Sequence, residues 1–269
     1  MYDSHMHTPL CKHATGQPEE YAAHAEKRGL TGIVITCHNP IPGGHSRHVR
    51  MEMTQFDEYV NMVARARETW AGRVDVRLGL ESDFYPGAEA WLRELHAKAE
   101  FHHILGSVHP QMTEYKNSYY KGNVLEFNRT YYEHLALAAE SGLFDTLSHP
   151  DIVKIVFPQQ WDLTPLMDDI RRSLDRIAKT GVAMELNTSG LQKNIREMNP
   201  APAILREMYE RNIPVMVNSD AHEAKRVAAD FEQAFDLLRE VGYHETNYFL
   251  HRQRHTLDIV TAKQSLRPA

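Results

Sequence analysis

The sequence predicts an α/β fold in which parallel strands form a closed or nearly closed barrel. Short apolar stretches, such as residues 32–36 and 182–187, alternate with longer helical segments along most of the chain. This alternation is typical of βα units with parallel strands, and seven or eight such units indicate a barrel. The chain has 269 residues, 42% of them hydrophobic, and no repeat or low-complexity linker divides it. We therefore expect a single domain over residues 1–269.

The helices are predicted from their pattern and from the residues at their ends. The first, residues 18–28, opens with Pro18 and two glutamates and stops at Gly29, a combination that favours a helix between them. Further helices are expected at 54–71, 88–99, 124–141, 164–180, 201–211 and 224–241. A glycine directly follows four of these six segments. After a first strand near the N-terminus, strands are expected at 32–36, 74–80, 104–108, 144–147, 182–187 and 213–218, with one more at 247–250. Residues 264–269 are expected to fray.

Three connections are expected to be loops, at residues 39–50, 110–123 and 188–200. The stretch 110–123 is polar, aromatic and irregular, and it is too long for a tight turn. Long loops in compact domains often carry function. We therefore expect residues 110–123 to form an active-site loop.

Composition excludes several classes of protein. The net charge is −6 with histidine neutral, and the interior has no block of lysine or arginine, which argues against a nucleic-acid groove. Cys11 and Cys37 are too few for a disulfide scaffold, so a reducing cytoplasm is the expected compartment. The start MYDSHMH lacks the features of a secretory signal, and no apolar run is long enough to cross a membrane. The sequence leaves a homo-oligomer open.

Residues 3–13 place three histidines in a short span. In an extended strand His5 and His7 point to the same face, where two imidazoles can bind one metal ion. His13 lies beyond the break at Pro9 and is placed to reach a neighbouring ion. A tag remnant or a polar surface strand would give the same pattern. The case for a metal site therefore depends on matching ligands elsewhere in the chain.

Further metal-type residues fall at the C-terminal ends of the predicted strands. These residues are His38, Glu81, His109, His149, Asp220 and His222. In a βα barrel the strands end at one face, where catalytic groups collect. A capping or core histidine explains any one position as well as a ligand does, but it does not explain so many successive strand ends. The other ten of the 17 histidines are assigned to the surface, to helical faces or to the far end of the barrel.

The mixture of imidazoles and carboxylates predicts a site for two to three divalent metal ions. These ligands suit Zn, Fe or Mn and do not choose among them. Closely spaced metals can hold a hydroxide between them and bind phosphate oxygens, so the expected reaction is hydrolysis of a phosphate ester. The expected partner is therefore a small-molecule phosphate ester substrate. We expect Glu81, Asp220 and His222 to serve catalysis through the metal-bound hydroxide.

Seven segments resemble a known family in their order and spacing. They are residues 3–13 (DSHMHTPLCKH), 36–42 (TCHNPIP), 79–87 (GLESDFYPG), 106–109 (GSVH), 148–154 (SHPDIVK), 185–191 (ELNTSGL) and 218–222 (NSDAH). Over nearly the whole chain the sequence resembles the PHP (polymerase and histidinol phosphatase) superfamily, and within it the stand-alone histidinol-phosphatases of the HisK type. The resemblance implies a distorted (β/α)7 barrel with a trinuclear metal centre.

The resemblance also implies an assignment of ligands to the three metals. The first metal would be held by His5, His7, Glu81 and Asp220. The second would be held by Glu81, His109 and His149, and the third by His13, His38 and His222. Asp3 is expected to support a ligand rather than to bind metal.

The sequence departs from the family pattern at two points. Cys37 stands where relatives commonly have an acidic residue, and its presence removes a possible carboxylate partner for a ligand. The turn after residue 188 reads Gly190-Leu-Gln-Lys193, without the second basic residue that relatives often carry. Phosphate binding is expected from Lys154, Lys193 or Arg196, although a charged residue on a loop is more often only solvated. Glu114, Tyr115, Tyr119 and Tyr120 are candidates for a wall around the rest of the substrate.

The preferred hypothesis is a metal-dependent phosphomonoesterase that converts L-histidinol phosphate to L-histidinol and phosphate in histidine biosynthesis. An alternative is a PHP-type phosphodiesterase or broader phosphatase that acts on nucleotides or other small phosphate esters. A third hypothesis is a module in which the metals are structural and the protein serves as an interaction platform. The apparently intact ligand set argues against this third hypothesis.

Overall fold

Seven parallel strands, arranged in the order in which they occur along the chain, form the sheet of the computed structural model, which describes residues 1–268. The strands are β1 (Tyr2–Asp3), β2 (Gly32–Ile35), β3 (Asp75–Asp83), β4 (His103–Ser107), β5 (Thr146–Leu147), β6 (Ala183–Asn187) and β7 (Val215–Asn218). Each pairs with the next in parallel register, from Tyr2 beside Gly32 to Asn187 beside Asn218. The predicted barrel of βα units is therefore confirmed.

The barrel is completed by main-chain contacts just beyond β1 and β7. Met6 and Ala221 form a parallel bridge. The His7 N–H donates to the Ala221 carbonyl at 2.9 Å, and the Ala221 N–H donates to the His5 carbonyl at 3.0 Å. The segment that carries His5 and His7 is thus joined directly to the segment that carries Asp220 and His222.

Nine helices are present among the described residues. They are α1 (Pro18–Arg28), α2 (Phe56–Thr69), α3 (Glu89–His96), α4 (Thr113–Tyr119), α5 (Val124–Glu140), α6 (Met167–Thr180), α7 (Pro202–Glu210), α8 (Phe231–Val241) and α9 (Ile259–Ser265). Helix α1 has a capping box of Gln17 and Glu20 at its start, and Gly29 ends it with a φ of 78°. The outer helices bury one apolar face against the sheet, as Ile170, Leu174 and Ile177 do on α6.

Close packing between the barrel and its outer layer explains a glycine in β4. A Cβ atom at Gly106 of β4 would lie 2.4 Å from the Phe144 ring, which is closer than any normal contact. The glycine lets the aromatic ring pack against the strand next to Ser107. Any larger residue would displace the strand that leads to His109.

Two predicted segments differ from the structure near the carboxyl ends of the strands. Residues 110–123 were expected to be irregular, but α4 occupies seven of them. The predicted helix 224–241 is interrupted, with a 3-10 turn at Ala224–Arg226 and α8 starting only at Phe231. Ala228 and Asp230 have φ values of 52° and 62°, and the Ala228 N–H donates to Asp3 at 2.9 Å. That buried contact turns the chain inward where helical periodicity alone predicts continuity.

The C-terminal region also differs from the prediction. The strand expected at 247–250 is β8 (Glu245–Leu250), and it pairs antiparallel with β9 (Gln253–Asp258) instead of joining the barrel. Its Phe249 packs with Ala183 and Met216 beneath the sheet. Residues 264 and 265 belong to α9, and the Arg267 N–H donates to the Arg28 carbonyl at 2.9 Å. The predicted fraying is therefore wrong for this part of the segment, and Ala269 lies outside the described residues.

No helix between residues 1 and 268 has both the length and the apolar composition that a membrane crossing requires.

Candidate metal centre

All nine predicted metal ligands meet at the carboxyl ends of the strands. Seven of them line a cavity of ≈ 350 Å³, namely His13, His38, Glu81, His109, His149, Asp220 and His222. His5 and His7 lie beneath them and are 0% and 1% exposed. Each ligand comes from a strand end or from the segment that follows it, except Glu81, which lies within β3. The parallel strands thus bring together side chains that are far apart in the sequence.

One corner of the centre combines two imidazoles with two carboxylates. The His7 Nε2 atom lies 3.0 Å from Asp220 Oδ1 and 3.6 Å from Glu81 Oε2. The His5 Nε2 atom lies 3.4 Å and 3.5 Å from the same two oxygens. Two nitrogens and two oxygens therefore surround one small volume, which suits a single divalent cation.

A second corner shares Glu81 with the first. The other oxygen, Glu81 Oε1, lies 3.0 Å from His149 Nε2 and 3.2 Å from His109 Nε2. Ser107 donates a hydrogen bond to this same oxygen at 2.6 Å. Because its two oxygens face different imidazoles, Glu81 has the geometry of a carboxylate that bridges two metals.

A third group contains His13 and His222, whose Nε2 atoms are 2.9 Å apart. The Nδ1 atom of His13 donates to the Cys11 carbonyl at 2.7 Å, and that of His222 donates to the Asp220 carbonyl at 3.1 Å. In neutral rings both Nε2 atoms then carry lone pairs that point at each other. Burial lowers the pKa of both rings, that of His222 well below its ordinary value, and so favours the neutral forms. A cation held by His13 and His222 would remove this repulsion.

His38 lies between the three groups. Its ring centroid is 4.4 Å from that of His7 and 5.4 Å from that of His13. Its Nδ1 atom is also 2.7 Å from Glu81 Oε2. The structure therefore brings His38 near Glu81 as well as near His13, its expected partner at the third metal.

Several buried polar atoms at the centre have no hydrogen-bond partner among the described residues. They include His5 Nε2, His38 Nδ1 and Glu81 Oε2; the last two lie 2.7 Å apart but are not aligned for a hydrogen bond. Buried polar atoms are rarely left unsatisfied, because the loss of solvation is unfavourable. Divalent cations would satisfy these atoms, so the residues present fit the metal centre that the sequence predicts.

The local electrostatics keep the carboxylates ionised. Burial alone would raise the pKa of Glu81, but the surrounding imidazoles, His38 first, hold that pKa well below its ordinary value. Burial alone would also raise the pKa of Asp220. His5 and His7 outweigh burial and hold that pKa well below its ordinary value. Two anionic side chains are thus available to offset the charge of bound cations.

Backbone strain coincides with the centre. His149 and Asp220 have φ values of 28° and 50°, a region that non-glycine residues rarely occupy. Such conformations persist when the surroundings enforce them, and they concentrate at functional sites.

Outer hydrogen bonds orient most of the imidazoles. His5 Nδ1 donates to Glu185 Oε1 and His109 Nδ1 donates to Asp83 Oδ1, both at 2.8 Å. Asp83 in turn accepts a 2.5 Å bond from Arg50, which is only 2% exposed. Burial raises the pKa of Asp83, but Arg50 and His109 outweigh it and leave the pKa below its ordinary value. These contacts fix which nitrogen of each ring faces the metals.

Sequence reasoning missed Glu185, Asp83 and Arg50 as parts of the site. Glu185 and Asp83 each lie on a strand that was predicted, and Asp83 follows Glu81 by two residues, which places both on one face. That spacing is a signal that could have identified Asp83. Arg50 lies in an irregular loop, and nothing in the local pattern marks it as buried.

Asp3 lies beneath the centre and holds the chain around it, without a hydrogen bond to a ligand side chain among the described residues. It is 0% exposed and accepts hydrogen bonds from the Ser219 hydroxyl and from the main-chain N–H groups of Ser219 and Ala228. Burial raises the pKa of Asp3 to about 6 in spite of these donors. Its role is to tie the start of the chain to the segment that follows β7.

The three residues expected to bind phosphate lie in different environments. Lys154 is 1% exposed, and its Nζ atom donates to Asp151 at 3.0 Å, to Glu197 at 3.1 Å and to the Met198 carbonyl at 2.8 Å. The expectation for Lys154 is corrected, because its ammonium is already held in the interior.

Lys193 lines the central cavity, whereas Arg196 is exposed and does not line it. Arg226, which the sequence analysis did not select, lines the cavity and is paired with Asp230 at 2.7 Å. Arg226 lies in the 3-10 turn Ala224–Arg226, inside the predicted helix 224–241, and a position within a helix does not indicate a cavity-lining residue.

A second cavity adjoins the first through His109. It has a volume of ≈ 220 Å³, and its wall includes Tyr85, Glu114, Tyr115 and Tyr119. Three of these four residues belong to α4, in the stretch expected to form an active-site loop. The Glu114 carboxylate accepts hydrogen bonds from the Ser46 N–H at 2.9 Å and from the Ser46 hydroxyl at 2.5 Å. The wall thus combines aromatic surface with a carboxylate.

Comparison with known proteins places these features in a family. The PHP domain matches residues 3–189. A Deinococcus radiodurans protein described as "Probable histidinol-phosphatase" is 38% identical over 257 residues, which cover 93% of this chain and 97% of that protein. The histidinol-phosphatase of Bacillus subtilis is 24% identical over 260 residues, covering 86% of this chain and 96% of that protein.

Solved structures agree with this fold. The histidinol phosphate phosphatase of Lactococcus lactis, in complex with zinc, L-histidinol and phosphate, matches with a TM-score of 0.79 at 18% identity. The match covers 94% of this chain and 98% of that one. The family match spans more than half of the chain and includes the strands that carry seven of the nine ligands. This chain therefore belongs to the PHP family.

Proposed function

We propose that the protein is a metal-dependent phosphomonoesterase that hydrolyses L-histidinol phosphate to L-histidinol and phosphate. The observation that carries the proposal is the pair of adjoining cavities, one surrounded by metal ligands and one by aromatic side chains. The first suits a phosphate group, and the second suits an organic group attached to it. The relatives named as histidinol-phosphatases support this choice of substrate.

We infer that two to three divalent ions occupy the centre, with zinc as the first choice. The zinc in the Lactococcus lactis structure supports this choice. His5, His7, Glu81 and Asp220 would hold one ion, Glu81, His109 and His149 a second, and His13, His38 and His222 a third. Bound metals would supply a water molecule of lowered pKa and would neutralise the phosphate oxygens.

The side chains of this protein position the substrate around those ions. Lys193 and Arg226 bring positive charge to the mouth of the metal cavity, where they attract the phosphate group. Glu81 and Asp220 stay ionised and would hold the metal ions that bind the phosphate group. His222 lies beside Asp220. None of these roles needs a nucleophilic serine or cysteine.

The second cavity suits the histidinol group. Tyr85 and Tyr119 offer aromatic faces to the imidazole ring of the substrate. Hydrogen bonds from Ser46 lower the pKa of Glu114, so its carboxylate is ionised and can attract the ammonium group. A substrate that reaches from the metals past His109 would contact both groups.

The test is a comparison of initial rates by the metal-loaded protein. We expect L-histidinol phosphate to be hydrolysed with a higher kcat/KM than bis(p-nitrophenyl) phosphate or nucleotide esters. Metal content is measured on the same sample by elemental analysis. A tenfold preference for diesters would support the alternative, a PHP-type phosphodiesterase. A loaded protein that hydrolyses no phosphate ester would contradict both.

The Glu114→Gln variant tests the substrate wall separately. It should raise the KM for L-histidinol phosphate and leave the KM for p-nitrophenyl phosphate, which has no ammonium group, unchanged. Equal changes in KM for both substrates would show that Glu114 does not recognise the ammonium group.

A further inference from the structure

The imidazole of His7 differs from its neighbours in the metal centre. The outward nitrogens of His5, His13, His109 and His222 all donate to an oxygen atom, at 2.7 to 3.1 Å. His7 is 1% exposed, and its Nδ1 atom makes no hydrogen bond of standard geometry to nitrogen, oxygen or sulfur anywhere in residues 1–268. No oxygen therefore orients this ring, and a weaker, longer contact is left to do so.

The contacts of the other nitrogen establish where the proton of His7 lies. Its Nε2 atom faces Asp220 Oδ1 at 3.0 Å and Glu81 Oε2 at 3.6 Å, in the corner that fits a metal. A ligand nitrogen must present a lone pair, so the neutral ring carries its hydrogen on Nδ1. This N–H points into the protein, where a missing acceptor would be unfavourable.

The sulfur of Cys37 is the acceptor available to this N–H. Cys37 is 0% exposed, and its Sγ atom lies within 4.8 Å of a ring nitrogen of His7, as does the Sγ atom of Cys11. Burial lowers the pKa of His7, but its interactions with Asp220 and then with Cys37 outweigh burial and raise that pKa, and Cys11 is not among these partners. The Cys37 S–H group points to the Thr8 carbonyl at 3.8 Å, and the Thr8 hydroxyl donates to Sγ at 3.2 Å. With its own hydrogen placed on Thr8, the sulfur has lone-pair density left for His7.

Cys37 is also held firmly. Its main-chain N–H donates to the Tyr59 hydroxyl at 3.2 Å, and that hydroxyl lies 2.8 Å from the Ile35 carbonyl. Tyr59 is itself fully buried. A sulfur fixed at the end of β2 can therefore hold an imidazole that projects from the end of β1.

We propose that Cys37 is a positioning residue that accepts the His7 Nδ1–H and so sets the tautomer and orientation of a metal ligand. Carboxylates and carbonyls usually do this for metal-bound histidines, and here a thiol takes their place. The proposal rests on the metal-dependent function proposed above, and it predicts that the sulfur contributes to metal affinity without binding metal.

The experiment compares Cys37→Ala with Cys11→Ala. Cys11 and Cys37 are the only two cysteines of the chain, both are buried thiols, and their sulfur atoms lie within 4.8 Å of each other. The two variants thus remove the same atom from the same cluster, but only one removes the acceptor of His7. Zinc affinity is measured by competition with a chromophoric chelator, which requires no substrate.

We expect Cys37→Ala to bind its tightest zinc ion about 10- to 100-fold more weakly than the parent protein. That 10- to 100-fold range is the one expected when a metal-bound histidine loses its outer hydrogen-bond partner. Cys11→Ala should stay within about threefold of the parent. Cys37→Ser should recover part of the affinity because its hydroxyl oxygen accepts a hydrogen bond. A role in packing alone would make serine no better than alanine.

The proposal is overturned if Cys37→Ala and Cys11→Ala bind zinc equally well, or if serine gives no recovery. Where Cys37→Ala does not fold, Cys37→Val replaces it, since valine fills the space and also lacks an acceptor. If the proposed function is wrong, the protein will not hydrolyse L-histidinol phosphate, but the expected differences in zinc affinity among the variants will still be found. The two failures are therefore distinguishable.

Discussion

Glu81 is the residue on which the geometry of the centre depends most directly. It is 0% exposed, and its two carboxylate oxygens face different imidazoles, His109 and His149 at Oε1 and His5, His7 and His38 at Oε2. A residue with one oxygen and no charge could serve only one of these groups. The bridging role therefore requires both the shape and the charge of a carboxylate.

Replacement of Glu81 by glutamine tests this role. Glu81→Gln keeps the size of the side chain but removes its charge and one of its acceptor oxygens. We expect bound metal to fall by at least one ion per chain, and kcat to fall by about 100-fold or more. Elemental analysis and initial rates measure the two effects. Full metal content in the variant would contradict a bridging Glu81.

Lys154 and Lys193 make a matched pair, since both were expected to bind phosphate and only one faces the cavity. Removal of Lys154 leaves Asp151 buried without its cation, although Asn199 and the Ala201 N–H still donate to it. Lys154→Met should lower the free energy of unfolding by about 3 kcal/mol. Lys193→Met should leave stability nearly unchanged and raise KM. Urea unfolding and steady-state kinetics separate the two, and a stable Lys154→Met with a raised KM would reverse the assignment.

At the scale of elements, α4 forms the outer wall of the substrate cavity and packs against α5. The Tyr115 hydroxyl of α4 contacts His134 Nδ1 of α5 at 2.8 Å. The Tyr119 ring packs against the same imidazole with centroids 4.5 Å apart. His134 is 6% exposed and thus joins the two helices from the interior.

The burial of His134 predicts a pH dependence of stability. Burial lowers the pKa of His134 to about 4, whereas an unfolded histidine has its ordinary value. As pH falls from about 6.5 towards 4, the unfolded chain binds a proton that the folded protein does not, so the free energy of unfolding falls. At pH 5 this loss is about 1 to 2 kcal/mol relative to pH 7.5.

A His134→Gln variant isolates this contribution because glutamine retains a hydrogen-bonding side chain but does not titrate. Its free energy of unfolding should decrease less between pH 7.5 and pH 5 than that of the parent. Both proteins are measured by urea unfolding with chelator present, so that loss of metal at low pH does not enter the comparison. Equal decreases in the two proteins would exclude His134 as the source.

At the scale of the whole molecule, the barrel and the position of its site could be predicted from the sequence. Strand ends carried the ligands, and alternation of helices and strands gave the order of the sheet. Contacts between distant segments could not be predicted in the same way. The Asp3–Ala228 hydrogen bond, which interrupts helix 224–241, joins residues 225 positions apart. The burial of Lys154 likewise depends on Glu197 and Met198, which no local pattern connects to it.

The metal centre joins parts of the barrel that are far apart in the sequence, and this predicts a contribution to stability. Its ligands come from the segments after β1 and β2, from β3, and from the segments after β4, β5 and β7. An unfolded chain cannot present them together, so metals bind the folded state preferentially. Free metal at 100 times its dissociation constant would stabilise that state by about 2.7 kcal/mol.

Removal of the metals should therefore lower the Tm. For a chain of this size, a change of that magnitude corresponds to a shift of about 5 to 10 °C. The measurement is thermal unfolding of the loaded protein before and after chelator treatment, with zinc added back to the same sample. Asp220→Asn, which weakens one corner of the site, should show a smaller shift than the parent. A chelated protein that is depleted of metal but keeps its Tm would show that the ligand cluster is stable without cations, and its unsatisfied buried atoms would then need another explanation.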